Sequence, residues 1–181
     1  MTRRRLPPAH AFVDESIRGQ RYLMGCALVE TRYSGDVARA MTDLVVVGRR
    51  LHFNNESMHQ RVRVLTAMAE LPVTNLVTVC QVGHGITQFR ARSSCLAYLV
   101  GELQRRSVSL LVLESRQDDR DDFRVIERVR ASDPPLVFEH RPGGTEPLLW
   151  IADAVAWAVG AGGRWRTLVE PILDRVVDVR P

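Results

Sequence analysis

In the middle of the chain, the spacing of hydrophobic residues changes from that of a strand to that of a helix and back to that of a strand. This pattern constrains the fold more than any other. Residues 73–82 (VTNLVTVCQV) are rich in β-branched side chains, which is typical of a strand, and a Gly-His-Gly segment ends the run. Ser93 can cap a following helix, whose apolar face comprises Leu96, Leu99, Val100 and Leu103. Residues 108–113 (VSLLVL) predict a strand covered on both faces. A strand, a helix and a strand with a crossover of this length predict a right-handed parallel unit, and hence an α/β protein.

Two carboxylates follow the first apolar run of the chain. The stretch Phe12-Val13-Asp14-Glu15-Ser16 precedes a break at Arg18-Gly19-Gln20, and residues 22–29 (YLMGCALV) predict a second buried strand. We therefore expect a hairpin in which Asp14 and Glu15 lie at the end of the first strand. Adjacent acids at the mouth of a core strand repel each other, and a bound cation is the usual reason to keep them together. The alternative is that this segment is only polar turn chemistry.

The composition fits one soluble domain. A hydrophobic content of 45% and a charged content of 25% over 181 residues are typical of a globular chain with a single core. We expect one domain over residues 1–181, with residues 1–8 as a flexible basic terminus. Prolines interrupt this terminus where a signal peptide needs an apolar core, and no run is long enough to cross a bilayer, so we expect a cytoplasmic protein.

An odd number of cysteines in apolar surroundings favours reduced core thiols over disulfides or a zinc site: Cys26, Cys80 and Cys95.

The basic residues of this chain are all arginine, 25 in number, and the net charge is +4. Guanidinium groups suit bidentate contacts with phosphate, so a nucleic-acid partner is consistent with this composition. The codon bias of a GC-rich genome produces the same replacement of lysine by arginine. The count therefore supports a nucleic-acid partner only weakly.

Two more acids lie where an unpaired charge is costly. Glu114 directly follows the second predicted strand of the parallel unit. Pro147 opens a helix at its first turn, and Asp153 is the single charge of its apolar run at residues 148–159 (LLWIADAVAWAV). A lone carboxylate in such a helix costs several kcal/mol unless it is paired, by an arginine for example, or bound to a metal. With Asp14, these acids predict a carboxylate cluster at one edge of the sheet, a site able to hold Mg²⁺ or Mn²⁺ for phosphodiester hydrolysis.

Four segments, FVDES, LHF-N-N-E, VLESR and LLWIADAVAWAV, occur in an order that resembles the DUF3800 family, which is placed in the ribonuclease H-like superfamily. The resemblance covers about residues 9–160. It implies a ribonuclease H-like fold, with a mixed five-stranded sheet flanked by helices and a divalent-metal site. The acids that match the family pattern are Asp14, Glu114 and Asp153.

The middle motif of the family departs from its usual form in this chain. The family often has Glu before Leu-His, whereas Arg50 stands before Leu51-His52 here. Glu56 lies four residues beyond His52 and can substitute for the missing acid. His52 can act as a general base or contact a phosphate, and the alternative is a packing role beside Phe53.

These observations support a hypothesis of a nuclease that depends on Mg²⁺ or Mn²⁺ and acts by two-metal hydrolysis. Its predicted metal ligands are Asp14, Glu114 and Asp153. Its predicted catalytic residues are Asp14, Glu15, His52 and Glu56. Strand alternation further predicts that Asp14 points into the site, while Glu15 lines it or faces away.

Two other functions stay open at this point. One is an inactive ribonuclease H-like scaffold that binds nucleic acid or a protein. The other is a phosphatase for small phosphoesters, which ranks last because the sequence has no glycine-rich phosphate loop.

Nucleic acid, either DNA or RNA, is the predicted partner, with no membrane association. A homodimer is also open, since three tryptophans suit either a core or a dimer surface: Trp150, Trp157 and Trp165.

Overall fold

A mixed sheet with helices on both faces forms the protein, in a computed structural model that describes residues 8–46, 48–116 and 119–181. The strands are β1 (Ala9–Arg18), β2 (Arg21–Glu30), β3 (Val73–Gln81), β4 (Leu110–Glu114), β5 (Val137–Arg141) and β6 (Leu173–Asp178). The helices are α1 (Ser34–Asp43), α2 (Met58–Met68), α3 (Gln88–Arg105), α4 (Asp119–Val129), α5 (Pro147–Ala161) and α6 (Gly163–Val169). The strand order is β5-β4-β1-β2-β3-β6.

The sheet combines antiparallel and parallel pairs, which confirms the predicted α/β class. β1 pairs antiparallel with β2, and β2 with β3, while the pairs β1–β4, β4–β5 and β3–β6 are parallel. The expected count of five strands is wrong, because the polar C-terminal segment forms β6 against β3. This edge strand is largely exposed, so its sequence lacks the apolar run that reveals a central strand.

The predicted strand, helix and strand unit is formed by β3, α3 and β4, but its strands are not neighbours. β2 and β1 lie between them in the sheet. Helix α3 begins earlier than predicted, because the side chain of Thr87, and not of Ser93, caps it by accepting a hydrogen bond from the Arg90 N–H at 3.1 Å. The Ser93 hydroxyl instead donates to the Phe89 carbonyl inside the helix. The four predicted apolar positions of α3 are fully buried.

The two faces of the sheet carry separate cores. On one face, α1, α2, α5 and α6 pack around Phe12, Leu23 and Val77. On the other face, α3 and α4 pack around Val13 and Met24. The three cysteines are buried and free, as the sequence predicts.

The N-terminal segment enters the sheet at Pro8. The predicted flexible terminus, residues 1–8, otherwise lies outside the described residues. The Pro8 carbonyl accepts hydrogen bonds from the N–H and the hydroxyl of Thr31, at 2.9 and 3.0 Å.

Of the helices described here, none combines the length and the apolar character that a membrane span requires.

Helix α5 approaches the sheet closely at Gly25, which pairs with Asp14 across the β1–β2 hairpin. A Cβ atom at Gly25 would overlap the carbonyl oxygen of Ala152 and lie 3.1 Å from the Cβ of Ala156. The absence of a side chain at this position therefore sets the distance between α5 and the strands. The same contact brings Asp153, the neighbour of Ala152, over Asp14.

We expect Gly25→Ala to destabilise the protein by about 1–3 kcal/mol, because α5 must move away from the hairpin. Thermal unfolding followed by circular dichroism measures this loss. The matched control is Gly35→Ala in α1, where a new Cβ meets no neighbouring atom. That control should be neutral or slightly stabilising because alanine favours helix, and an equal loss in both variants would contradict the close-approach explanation.

Candidate functional site

Two neighbouring strands place two acids side by side. The parallel pairing of β1 with β4 ends at Val13 and Leu113, whose side chains enter the core under α3. Asp14 and Glu114 follow directly, so strand alternation turns both toward the face that α5 covers. β1 continues to Arg18 because β2 still pairs with it there. Asp14 therefore lies inside a strand and not at its end, contrary to the prediction.

Helix α5 supplies the third acid. It begins at Pro147, where the side chain of Glu146 accepts a hydrogen bond from the Leu148 N–H at 3.3 Å. Asp153 is only 8% exposed, and its Oδ2 accepts a hydrogen bond from the Phe53 N–H at 3.0 Å. A backbone N–H, and not an arginine, is thus the direct partner of this carboxylate.

The three acids influence one another electrostatically. Burial, together with the charges of Asp153 and Glu114, raises the pKa of Asp14 to about 9, while Arg50 opposes this rise. Burial also raises the pKa of Asp153, against the opposing effects of the Phe53 hydrogen bond and of His52. The cluster therefore lacks positive charge, even with one guanidinium beside it.

Arg50, the residue that departs from the family motif, lies within this cluster. Its Nη2 donates to Oε1 of Glu114, and the side chain of Arg50 is 35% exposed. Its Nε is buried and has no hydrogen-bond partner among the described residues. The turn at Gly143 closes over the pair, since a Cβ there would overlap both side chains. Trp150 holds this turn by donating from Nε1 to the Gly143 carbonyl at 2.6 Å.

The carboxylate oxygens of the cluster are suitable ligands for a divalent cation, but their present arrangement is not that of a formed metal site. Carboxylate oxygens are the ligands that Mg²⁺ and Mn²⁺ prefer, and a bound cation would oppose the burial and like charges that raise the pKa of Asp14. Within the part of the chain that the structure describes, no three acidic, histidine or cysteine side chains are already grouped as metal ligands. Arg50 occupies Oε1 of Glu114 and would therefore compete with a cation for this carboxylate.

Glu15 lies on the opposite face of the sheet from Asp14, as alternation predicts. Its carboxylate is 10% exposed, pairs with Arg92 and Arg116, and accepts a hydrogen bond from the Tyr22 hydroxyl at 2.5 Å. The structure thus does not bring it into contact with the other acids. Its catalytic role stays a prediction.

Arg92 joins Glu15 to a second acid in a buried ionic network that sequence reasoning missed. Its guanidinium donates to both oxygens of Asp122, at 2.8 and 2.6 Å, and His140 Nε2 lies 3.1 Å from the same carboxylate. Burial opposes ionisation of Asp122, but the hydrogen bonds from His140 and Arg92 outweigh it and lower its pKa. The sequence signal was a dense Asp and Arg segment, which does not distinguish the buried Asp122 from the half-buried Asp119 and Asp121.

The remaining predicted residues lie around the cluster. His52 is exposed, close enough to Asp153 to lower the pKa of that carboxyl. Glu56 is half-buried and lines a cavity of about 420 Å³ that also reaches Arg50. The described residues that line this cavity are Asp43, Leu44, Val45, Val46, Arg49, Arg50, Asn55, Glu56, Ser57, Gln60 and Arg63.

The fold has a counterpart among solved structures. The chain is similar to the crystal structure of the ribonuclease H2 from Pyrococcus horikoshii OT3, with a TM-score of 0.53 over 84% of this chain and 72% of that chain. The fold is ribonuclease H-like. The two sequences are only 12% identical, so the likeness concerns the fold alone. No family model and no curated protein matches this sequence.

Proposed function

We propose that this chain is a nuclease that depends on Mg²⁺ or Mn²⁺ and hydrolyses phosphodiester bonds of nucleic acid. The observation that carries the proposal is the convergence of three carboxylates from β1, β4 and α5, where burial and the charges of Asp153 and Glu114 raise the pKa of Asp14 to about 9. Like charges held together at a cost to the fold require a compensating function, and acid clusters of this kind occur at catalytic and metal sites. The ribonuclease H-like fold is consistent with this function.

The metal ligands in this proposal are Asp14, Glu114 and Asp153. Two divalent cations held by these carboxylates would activate water and stabilise the leaving oxygen. The protein fixes the ligands rigidly, because two lie on paired strands and the third on a buried helix. His52, exposed beside Asp153, can contact a phosphate or accept a proton, and Glu56 lies across the neighbouring cavity.

We also propose that the chain belongs to the DUF3800 family. The support is that the motifs of the resemblance occupy the places the family pattern implies: Asp14 on the first strand, Glu114 at the end of a later strand and Asp153 in the C-terminal helix. Arg50 remains a departure from that pattern.

A second candidate is an inactive ribonuclease H-like scaffold that binds nucleic acid, and one observation favours it. Arg50 pairs with Glu114 and partly neutralises the cluster without a metal. Arg50 offsets only part of the effect of burial and of the charges of Asp153 and Glu114, however, because these still raise the pKa of Asp14 from 3.8 to about 9. The nuclease is therefore the better supported function.

The test is a cleavage assay on labelled single-stranded and double-stranded DNA, RNA and RNA–DNA hybrid, with and without Mg²⁺ or Mn²⁺. We expect cleavage of at least one substrate that requires the cation and stops when a chelator removes it. Asp153→Asn should lose this cleavage while keeping an acceptor for the Phe53 N–H. Cleavage that survives chelation, or that persists in this variant, would show that the cluster is not the catalytic site.

A further inference from the structure

The cavity beside the carboxylate cluster has the features of an anion site. Its volume is about 420 Å³, and three of its lining residues are arginines: Arg49, Arg50 and Arg63. Two carboxylates, of Asp43 and Glu56, also line it, so the formal charge of the lining is +1. Arg49 and Arg63 are both exposed, and neither is in an ion pair with any described residue. Apart from a hydrogen bond from Arg63 Nη1 to Gln60 Oε1 at 3.4 Å, their guanidinium donors have no partner among the described residues and can bind an anion.

Helix α2 adds to the positive potential of the same cavity. Ser57, its N-cap residue, and Gln60 in its first turn both line the cavity. The partial positive charge at the N-terminus of a helix favours an anion, and phosphate is a frequent ligand there. Free arginine donors and a helix N-terminus together suit a phosphate group with its several oxygens.

Arg50 belongs to both sites at once. One end of its guanidinium pairs with Glu114, and the side chain also lines the cavity. Its buried Nε–H has no acceptor among the residues described. Such a group carries an unmet hydrogen bond, which an oxygen atom in the cavity could satisfy. A phosphate bound through this Nε–H would draw the same guanidinium toward the cavity and so weaken its pairing with Glu114.

We propose that the cavity binds a backbone phosphate of nucleic acid and that Arg50 couples this phosphate to the carboxylate cluster. Without substrate, Arg50 pairs with Glu114 and competes with a divalent cation for that carboxylate. When a phosphate takes Arg50, Glu114 is released to join Asp14 and Asp153 as a metal ligand. This inference rests on the proposed nuclease function and adds how substrate recognition prepares the metal site.

The experiment measures Mn²⁺ binding to the whole protein by calorimetry, with sulfate as a non-hydrolysable stand-in for the phosphate group. A protein-free titration at each sulfate concentration corrects for ion pairing in solution. In the wild type, saturating sulfate should tighten Mn²⁺ binding about tenfold, and Mn²⁺ should tighten sulfate binding by the same factor because coupling is reciprocal. Arg50→Gln should bind Mn²⁺ about tenfold more tightly without sulfate, and sulfate should then have no further effect.

Two variants serve as controls. Arg63→Gln should weaken sulfate binding several-fold but leave Mn²⁺ binding unchanged in the absence of sulfate, since Arg63 does not contact the cluster. Arg128→Gln removes an exposed arginine on the opposite face, so it corrects for the change in net charge and should alter neither affinity. Circular dichroism verifies folding, and Arg50→Lys, a milder change, should give an intermediate Mn²⁺ affinity.

A separate titration of the metal-free protein identifies the source of the phosphate. Sulfate and a short single-stranded oligonucleotide are compared between the wild type and Arg63→Gln. Weaker binding of both ligands supports a backbone phosphate, whereas weaker binding of sulfate alone overturns that assignment in favour of a free anion.

The failure of this inference can be told apart from the failure of the proposed function. If Arg50→Gln binds Mn²⁺ no more tightly than the wild type, while Asp14→Asn abolishes Mn²⁺ binding, the coupling is refuted and the metal site stands. If neither the wild type nor Arg50→Gln binds Mn²⁺, both the coupling and the metal-dependent nuclease are refuted.

Discussion

Asp14→Asn is expected to lower the rate of metal-dependent cleavage by about 10³-fold or more and, at the same time, to stabilise the metal-free protein. The asparagine keeps the shape of the side chain and removes a ligand charge. Because the folded protein raises the pKa of Asp14 from 3.8 to about 9, protonation favours the folded state. The destabilisation by Asp14 is absent below about pH 3.8 and grows as the pH rises toward 9.

The measurement is the free energy of unfolding of both proteins from pH 4 to pH 9, in a chelating buffer. The variant should be more stable than the wild type throughout this range, by on the order of 4 kcal/mol at pH 7. Adding Mg²⁺ should stabilise the wild type only. A stability difference that does not grow with pH would contradict the like-charge cluster.

The matched control for this substitution is Asp36→Asn in α1. It removes one exposed carboxylate that lies beside Arg39 and outside the acid cluster. Its cleavage rate should equal that of the wild type. Its stability should change by less than about 1 kcal/mol, because Asp36 acts only through a surface ion pair and the helix dipole.

Arg92→Leu is the substitution with the largest expected loss of stability, about 3 kcal/mol or more. It leaves the buried carboxylates of Glu15 and Asp122, which are 10% and 4% exposed, without their shared cation. The fold depresses the pKa of Asp122, so the stability that this ionised group contributes is present above pH 3.8 and is lost as the pH falls through its folded pKa. The loss caused by Arg92→Leu should accordingly be largest near neutral pH and smaller in acid.

Urea unfolding at pH 7 and at pH 3 measures this difference. Arg124→Leu provides the comparison on α4, since Arg124 is 75% exposed and, among the described residues, forms an ion pair only with Asp121. That variant should lose no more than about 0.5 kcal/mol. Equal losses in the two variants would show that the Arg92 network contributes no more than a surface pair.

Much of the fold follows from local hydrophobic patterns. The hairpin of β1 and β2 was predictable from two short apolar runs on either side of a turn. The apolar face of α3 followed from its helical spacing, and the start of α5 from Pro147. Strand β6 was not predictable, since an exposed edge strand has no such apolar run. The insertion of β1 and β2 between β3 and β4 was also beyond prediction, because local patterns do not specify which strands become neighbours.

The candidate site was likewise predictable only in part. Asp153 could be found from sequence because one charge in an apolar helix needs a partner. The sequence also separated Asp14 from Glu15, since alternate residues of a strand face opposite sides. It did not reveal that Glu15 is neutralised by Arg92, which lies 77 residues away along the chain.

The sequence alone determined the α/β class and the three acids Asp14, Glu114 and Asp153, because each is an ionisable group where the local pattern requires burial. Only the tertiary structure decided that these acids converge, through the register of β1 with β4 and the close approach of α5 at Gly25. It also decided that Arg50 pairs with Glu114 among them. Ion pairing and like-charge repulsion depend on distances of a few ångströms between residues far apart in the chain, which no local pattern records.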